Sequence, residues 1–185
     1  MGARRTTAGD RGDVTRSICL HGPESTGKTT VASLLADRLG GVVVGEYGRD
    51  YAEMHGTAFT MADLVAIGQE QARRAVAARA SGVDPLILDT DPLMTAVWAD
   101  MLFGCRDPWF ESFTDTADLY LLFDTDLPWI DDGTRMFGTI GERRRFFDLS
   151  KAELDRRGLK WALVGGEGQA RLDNALAAIR GAELD

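Results

Sequence analysis

Residues 22–29 read G-P-E-S-T-G-K-T and meet the pattern G-x-x-x-x-G-K-[ST] at every fixed position. In this spacing the glycines let successive backbone N–H groups turn inward onto phosphate oxygens, and the positive end of a following helix adds to the field. Gly22 and Gly27 provide the turns, with Glu24, Ser25, Thr26 and Thr30 in the same cradle. Lys28 is placed to reach β and γ phosphates, and the Thr29 hydroxyl to hold Mg²⁺. An ordinary glycine turn from strand to helix needs no Lys followed by Thr. The expected cofactors are therefore ATP and Mg²⁺.

Phosphoryl transfer needs a second metal-side group, normally an acid at the end of a neighbouring strand. Asp89, after Leu86-Ile87-Leu88, occupies that place. Asp91 precedes Pro92 and suits a helix N-cap, a use compatible with ligand contact. Residues 46–51 read E-Y-G-R-D-Y at the end of another apolar run, facing the crevice at the carboxyl ends of the strands. Glu46 is suited to take a proton from an acceptor hydroxyl, and Arg49 to balance charge near the transferred group. Residues 124–135 combine four acids with Trp129 and Arg135, a mixture fitting a cationic or sugar ligand. A pyridinium would be attracted to an indole face. Trp98 and Trp109 read as packing residues. Arg143, Arg144 and Arg145 form either a solvated helix face or a lid that closes over phosphates.

These residues need a scaffold, and the apolar pattern supplies one. Short apolar runs at 18–20, 42–44, 85–89, 118–123 and 161–164 read as five buried strands, separated by helical patterns at 29–39, about 60–80, after Pro92, and from about 167 to 179. Thr60 with Asp63, and Ser150 with Glu153, have capping-box spacing. Strands alternating with helices imply an α/β fold, with a parallel sheet covered on both faces. A lid is expected near residues 133–150. Residues 1–16 have the composition of a flexible N-terminal extension, leaving one kinase-type domain over 17–185.

Composition narrows the partners. At 185 residues with 44% hydrophobic content, the chain suits one domain. A net charge of -8 argues against nucleic acid, whose binding relies on Lys and Arg. No apolar stretch reaches the ~18 residues of a membrane span, and none has signal-peptide form. Two cysteines, Cys19 and Cys105, suit a reduced, cytoplasmic protein. The length is small for a motor, and no N-K-x-D string for reading guanine is present. The oligomeric state is left open.

The chain resembles the ribosylnicotinamide kinase domain of NadR-type regulators of NAD biosynthesis. The likeness rests on G-P-E-S-T-G-K-T-T at 22–30, E-Y-G-R-D-Y at 46–51, Gly68-Gln69, D-T-D at 89–91 with Trp98 following, D-L-Y-L-L at 118–122, and P-W-I-D-D-G-T-R at 128–135. It implies a P-loop kinase that transfers phosphate from ATP to the 5′-hydroxyl of nicotinamide riboside, giving the mononucleotide. By position, Glu46 or Asp50 would contact or deprotonate the riboside, and Lys28 and Asp89 would serve catalysis, Asp89 with Thr29 through Mg²⁺. Tyr47, Arg49, Gln69, Asp91, Trp129, Asp132 and Arg135 would line the acceptor pocket, with Arg143 and Arg144 on the nucleotide. At this length the DNA-binding and adenylyltransferase domains of the regulators are not expected. A kinase for another nucleoside, and a nucleotide-dependent regulatory module, remain alternatives.

Overall fold

The computed structural model describes residues 16–183. Most of the expected N-terminal extension, residues 1–15, lies outside them. Arg16 belongs to the fold, since its backbone N–H and guanidinium both donate to Asp84.

Five strands, β1 (Ser17–His21), β2 (Val42–Val44), β3 (Leu86–Leu88), β4 (Leu119–Phe123) and β5 (Trp161–Val164), form one sheet in the order β2-β3-β1-β4-β5. All pairings are parallel, with Ile18 opposite Ile87 on one side and Leu119 on the other. The central strands are apolar without alternation because both their faces are covered. Helices α1 (Lys28–Leu39) and α7 (Gln169–Glu183) pack Leu35, Leu172 and Ile179 onto Ile18, Leu20 and Leu121. On the opposite face, α3 (Met61–Arg79), α4 (Pro92–Phe103) and α6 (Ile140–Arg156) contribute Ala75, Leu93 and Leu154 against Cys19, Leu88 and Leu122. Each fully buried leucine adds about 1.5 to 3 kcal/mol to that arrangement.

From β1 the chain runs to β2 and β3 on one side, then to β4 and β5 on the other. Strand order therefore reverses beside β1, where ligands of open α/β sheets bind. The phosphate loop leaves β1 at this point.

The structure departs from the sequence reading at several places. Val42 is exposed and Val43 half-buried, because β2 is an edge strand and not fully buried. Helix α2 (Tyr47–His55) takes up most of the E-Y-G-R-D-Y segment, with Glu46 as its N-cap, and a short α5 (Pro108–Ser112) follows α4. Helix α6 starts at Thr139, whose hydroxyl and Glu142 form the capping box, so Ser150 and Glu153 fall within the helix and are buried. Its inward face carries Arg143, Phe146, Ser150 and Glu153, three of them polar, which hides the helix from a search for apolar period. The segment expected as a lid is thus loop up to Thr139 and helix beyond it. The Thr60–Asp63 capping box is present as read.

Candidate active site

Side chains from the ends of β1, β2 and β3 converge over the phosphate loop. Gly22 has φ 122°, and a Cβ there would lie 2.9 Å from the Phe123 carbonyl oxygen, so only glycine fits. Gly27 (φ 81°) opens α1 with no side-chain cap, leaving the first N–H groups of the helix for a ligand. Lys28 is buried and its Nζ donates to the carbonyls of Gly22 (2.9 Å) and Pro23 (2.6 Å). Burial lowers its pKa, while Glu46, Asp89 and Glu24 act against that.

Asp89 is buried, with Oδ1 lacking a protein partner. Burial raises its carboxyl, and the Thr29 hydroxyl, Lys28 and Arg49 oppose the rise. One orphaned carboxylate oxygen close to a hydroxyl suits Mg²⁺, which takes one or two protein ligands and fills its remaining positions with water and phosphate. Thr29 and Asp89 would hold it.

Two clefts meet here. One runs along the phosphate loop, lined by residues 24–30 together with Arg135. The other is a more apolar cleft lined by Gly48, Ala52, Phe59, Leu64, Ile67, Thr90, Thr95 and Thr134. Glu24, Glu46, Arg49, Met94 and Trp98 line both. Glu46 stands at the junction, and withdrawal from water, only partly offset by Lys28 and with Asp89 adding to it, raises its carboxyl to about 7.

A strap over residues 128–137 is tied to the phosphate loop. The Ser25 hydroxyl accepts from Ile130 N and Arg135, and Glu24 accepts from the N–H groups of Met136 and Phe137. Asp132 receives Arg49 (2.9 Å) and Arg135 (3.1 Å). Burial works against its ionisation, but hydrogen bonds from Thr134 and Arg49 bring it to about 2. Glu24 and Ser25 therefore anchor this strap with their side chains, while the strap brings Arg135 to the phosphate loop.

Other expected site residues lie elsewhere. Asp50 is exposed and paired with Arg74 (3.0 Å), which separates it from Glu46 as a candidate base. Tyr47 lies under the Arg74 guanidinium, outside both clefts. Asp91 caps α4 through Leu93 and Met94 and accepts the Tyr120 hydroxyl at 2.5 Å; burial raises it to about 6. It acts as a cap, away from the clefts. Gln69 is exposed, because the inward positions of α3 are Leu64, Ile67, Gly68 and Gln71. Trp129 packs over Gly138 (3.1 Å to a Cβ there) and lines neither cleft. The indole in the cleft is Trp98, stacked near Phe137 at 5.0 Å. Trp109 does pack, with a Cβ on Gly68 falling 2.7 Å from its ring. Arg143 is buried and donates to Leu127 O, whereas Arg144 and Arg145 are exposed, Arg144 beside Asp148. The cleft arginines are Arg49 and Arg135.

Sequence reasoning missed Trp98, Phe59 and Gln71. Met94, Thr95 and Trp98 share one helical face directly after the Asp91 cap, a spacing that could have pointed to Trp98. For Gln71 the signal was an amide inside an apolar stripe.

Fold and site together define a P-loop kinase architecture. The chain belongs to the AAA domain family, whose model matches residues 17–171. It is similar to the trifunctional NAD biosynthesis/regulator protein NadR of Escherichia coli (strain K12), 28% identical over 160 residues that make up 82% of this chain and 38% of NadR. It therefore spans well under half the length of the curated relatives it matches. A NadR protein solved in complex with NR has a TM-score of 0.74 at 24% identity, over 91% of this chain and 51% of that one. The NadR complex with NAD and AMP-PNP has 0.71 at 22%, over 91% and 49%. A thymidylate kinase from Ehrlichia chaffeensis has 0.67 at 13%, over 90% and 98%. Among the described residues, no helix is long and apolar enough to cross a membrane.

Proposed function

We propose that this chain transfers the γ-phosphate of ATP to the 5′-hydroxyl of nicotinamide riboside. The observation that carries the reading is the junction itself. Glu46, Arg49 and Trp98 line both clefts, so an acceptor hydroxyl and a terminal phosphate can meet at a carboxylate whose carboxyl is raised to about 7. A group titrating there can take a proton near neutrality, as a general base requires. The relatives solved with NR and with AMP-PNP support a riboside acceptor and an adenine nucleotide donor.

In this mechanism the acceptor lies between Trp98 and Phe59, with its hydroxyl toward Glu46. The indole face and nearby acids favour a cationic pyridinium, and exclusion of water strengthens that attraction. Loop N–H groups hold the donor phosphates, while Lys28, Arg49 and Arg135 stabilise charge on the transferred phosphoryl. Mg²⁺, held by Thr29 and Asp89, would screen the phosphates. Glu46 removes the hydroxyl proton as the oxygen attacks in line.

The test is mass spectrometry of products after incubation with ATP, Mg²⁺ and a panel of acceptors. Nicotinamide mononucleotide as the main product supports the reading. A deoxynucleoside monophosphate as the main product, or ATP hydrolysis without a phosphorylated acceptor, rejects it. In the same assay Trp98→Ala should raise the riboside KM by about tenfold, the loss of one to two kcal/mol of stacking and cation attraction, with ATP KM little changed. Trp129→Ala should leave both nearly unchanged.

The raised Glu46 carboxyl sets a pH dependence. The base is active when ionised, so kcat/KM should fall about tenfold for each unit below about pH 7. Glu46→Gln should be slow throughout and lack this limb. An acid limb that persists unchanged in Glu46→Gln would assign it to another group.

A further inference from the structure

Gln71 is 1% exposed, on the inward face of α3, and lines neither cleft. Its amide nevertheless meets three backbone groups that flank the reacting side chains. Oε1 accepts from Tyr47 N at 2.8 Å, and Nε2 donates to Gly45 O at 3.2 Å and Thr90 O at 3.3 Å. Gly45 and Tyr47 are the two neighbours of Glu46, and Thr90 is the neighbour of Asp89.

We propose that Gln71 is a positioning residue for phosphoryl transfer, a buried amide that fixes Glu46 relative to Asp89 by holding the backbone on both sides of one and next to the other. The chemistry of the contacts requires an amide. One atom must accept while its partner donates twice, and an uncharged side chain with both functions on one carbon is Gln or Asn. Asn is one methylene too short to span from α3 to the ends of both strands. Glu46 has a second reason to need this support. It is the N-cap of α2 but makes no side-chain capping bond, so its carboxylate is free to face the cleft. The N–H of Tyr47 at the start of α2 is satisfied by Gln71 instead. The capping work and the chemical work are divided between two residues, which leaves Glu46 available for the acceptor.

This inference rests on the reading of Glu46 as the base, and a double-mutant cycle separates the two. Gln71→Leu, which keeps the apolar bulk, should lower kcat by about 10- to 100-fold, the usual cost of displacing a reacting group by about an ångström. Acceptor KM and ATP affinity should change by no more than about threefold, because Gln71 touches neither ligand. In a Glu46→Gln background the same substitution should cost kcat less than about threefold, since there is no base left to misplace. Gln71→Glu, isosteric and still able to accept from Tyr47 N, should also be slow, because its carboxylate faces two carbonyl oxygens. It carries the cycle should the leucine variant fail to fold. Equal losses in both backgrounds, or a loss confined to KM, would overturn the positioning role. Wild-type turnover in Glu46→Gln alone would instead reject the base, a distinct result.

Discussion

Lys28→Ala is expected to lower phosphoryl transfer by about 10³-fold or more while the chain still folds, a magnitude typical of removing one preorganised charge from a developing anion. The Lys28 ammonium is buried at the root of the phosphate loop, within the field of Glu46, Asp89 and Glu24. Its bonds to Gly22 O and Pro23 O are to neutral carbonyls. Phosphate oxygens arriving in the loop offer charge-assisted bonds, roughly twice as strong, so the ammonium can turn to them at little cost. Alanine removes that charge from the transition state, whereas the fold loses only two hydrogen bonds next to a solvent-accessible cleft. Product formation and thermal melting should be measured together. Turnover within tenfold of wild type in a folded variant would contradict the assignment of the loop to catalysis.

Glu153→Ala is expected to lower stability at neutral pH by about 3 to 5 kcal/mol, the cost of leaving buried charge without its partner. For a domain of this size that lowers Tm by about 10 °C. Glu153 is 3% exposed within α6 and receives Arg106 (2.8 Å), Arg156 (2.9 Å) and Arg157 (2.6 Å). Arg106 also binds Asp100 of α4, and Arg157 donates to the carbonyls of Phe110 and Phe113 beside α5. One carboxylate thus ties three helices on one face of the sheet. Burial alone would raise its pKa, but the three arginines outweigh burial and bring it to about 2. With the folded value below the ordinary one, the stabilisation is complete above about pH 5 and is lost as pH falls through 4 toward 2. The Tm gap between wild type and Glu153→Gln should accordingly be wide near pH 7 and narrow near pH 3. A gap independent of pH would remove the ion network as its cause.

Several parts of the molecule were legible in the residues alone. The phosphate loop is one, because cradling phosphate with backbone N–H groups demands glycines, a lysine and a hydroxyl at set intervals, all within eight consecutive residues. The central strands are another, since a parallel sheet covered on both faces requires uninterrupted apolar runs. Asp91 as a cap was visible from Pro92 beside it, and the Thr60–Asp63 box from its spacing. Where the reading failed, the deciding contacts were between segments distant in sequence. Ser150 and Glu153 have capping-box spacing, but capping depends on where a helix begins, and tertiary burial of Arg143 and Phe146 carries α6 back to Thr139.

The acceptor side shows the same division most clearly. Acids, arginines and one indole, Trp129, were read as ligand-binding and Trp98 as packing, and the structure allocates them differently. Trp129 belongs to a strap that folds down on Gly138, and Trp98 belongs to a helix whose start is fixed by Asp91 and Tyr120, which turns its indole into the cleft. Asp50 and Glu46 are four residues apart, but the approach of α3 gives Asp50 to Arg74 and leaves Glu46 at the junction. By itself the sequence determined the phosphate chemistry and the layered α/β plan, because each depends on local backbone geometry and on which residues avoid water. The tertiary structure alone decided which acid, which indole and which arginines line the two clefts. That choice depends on strand order and helix approach, which join residues tens of positions apart and leave no fixed interval in the chain.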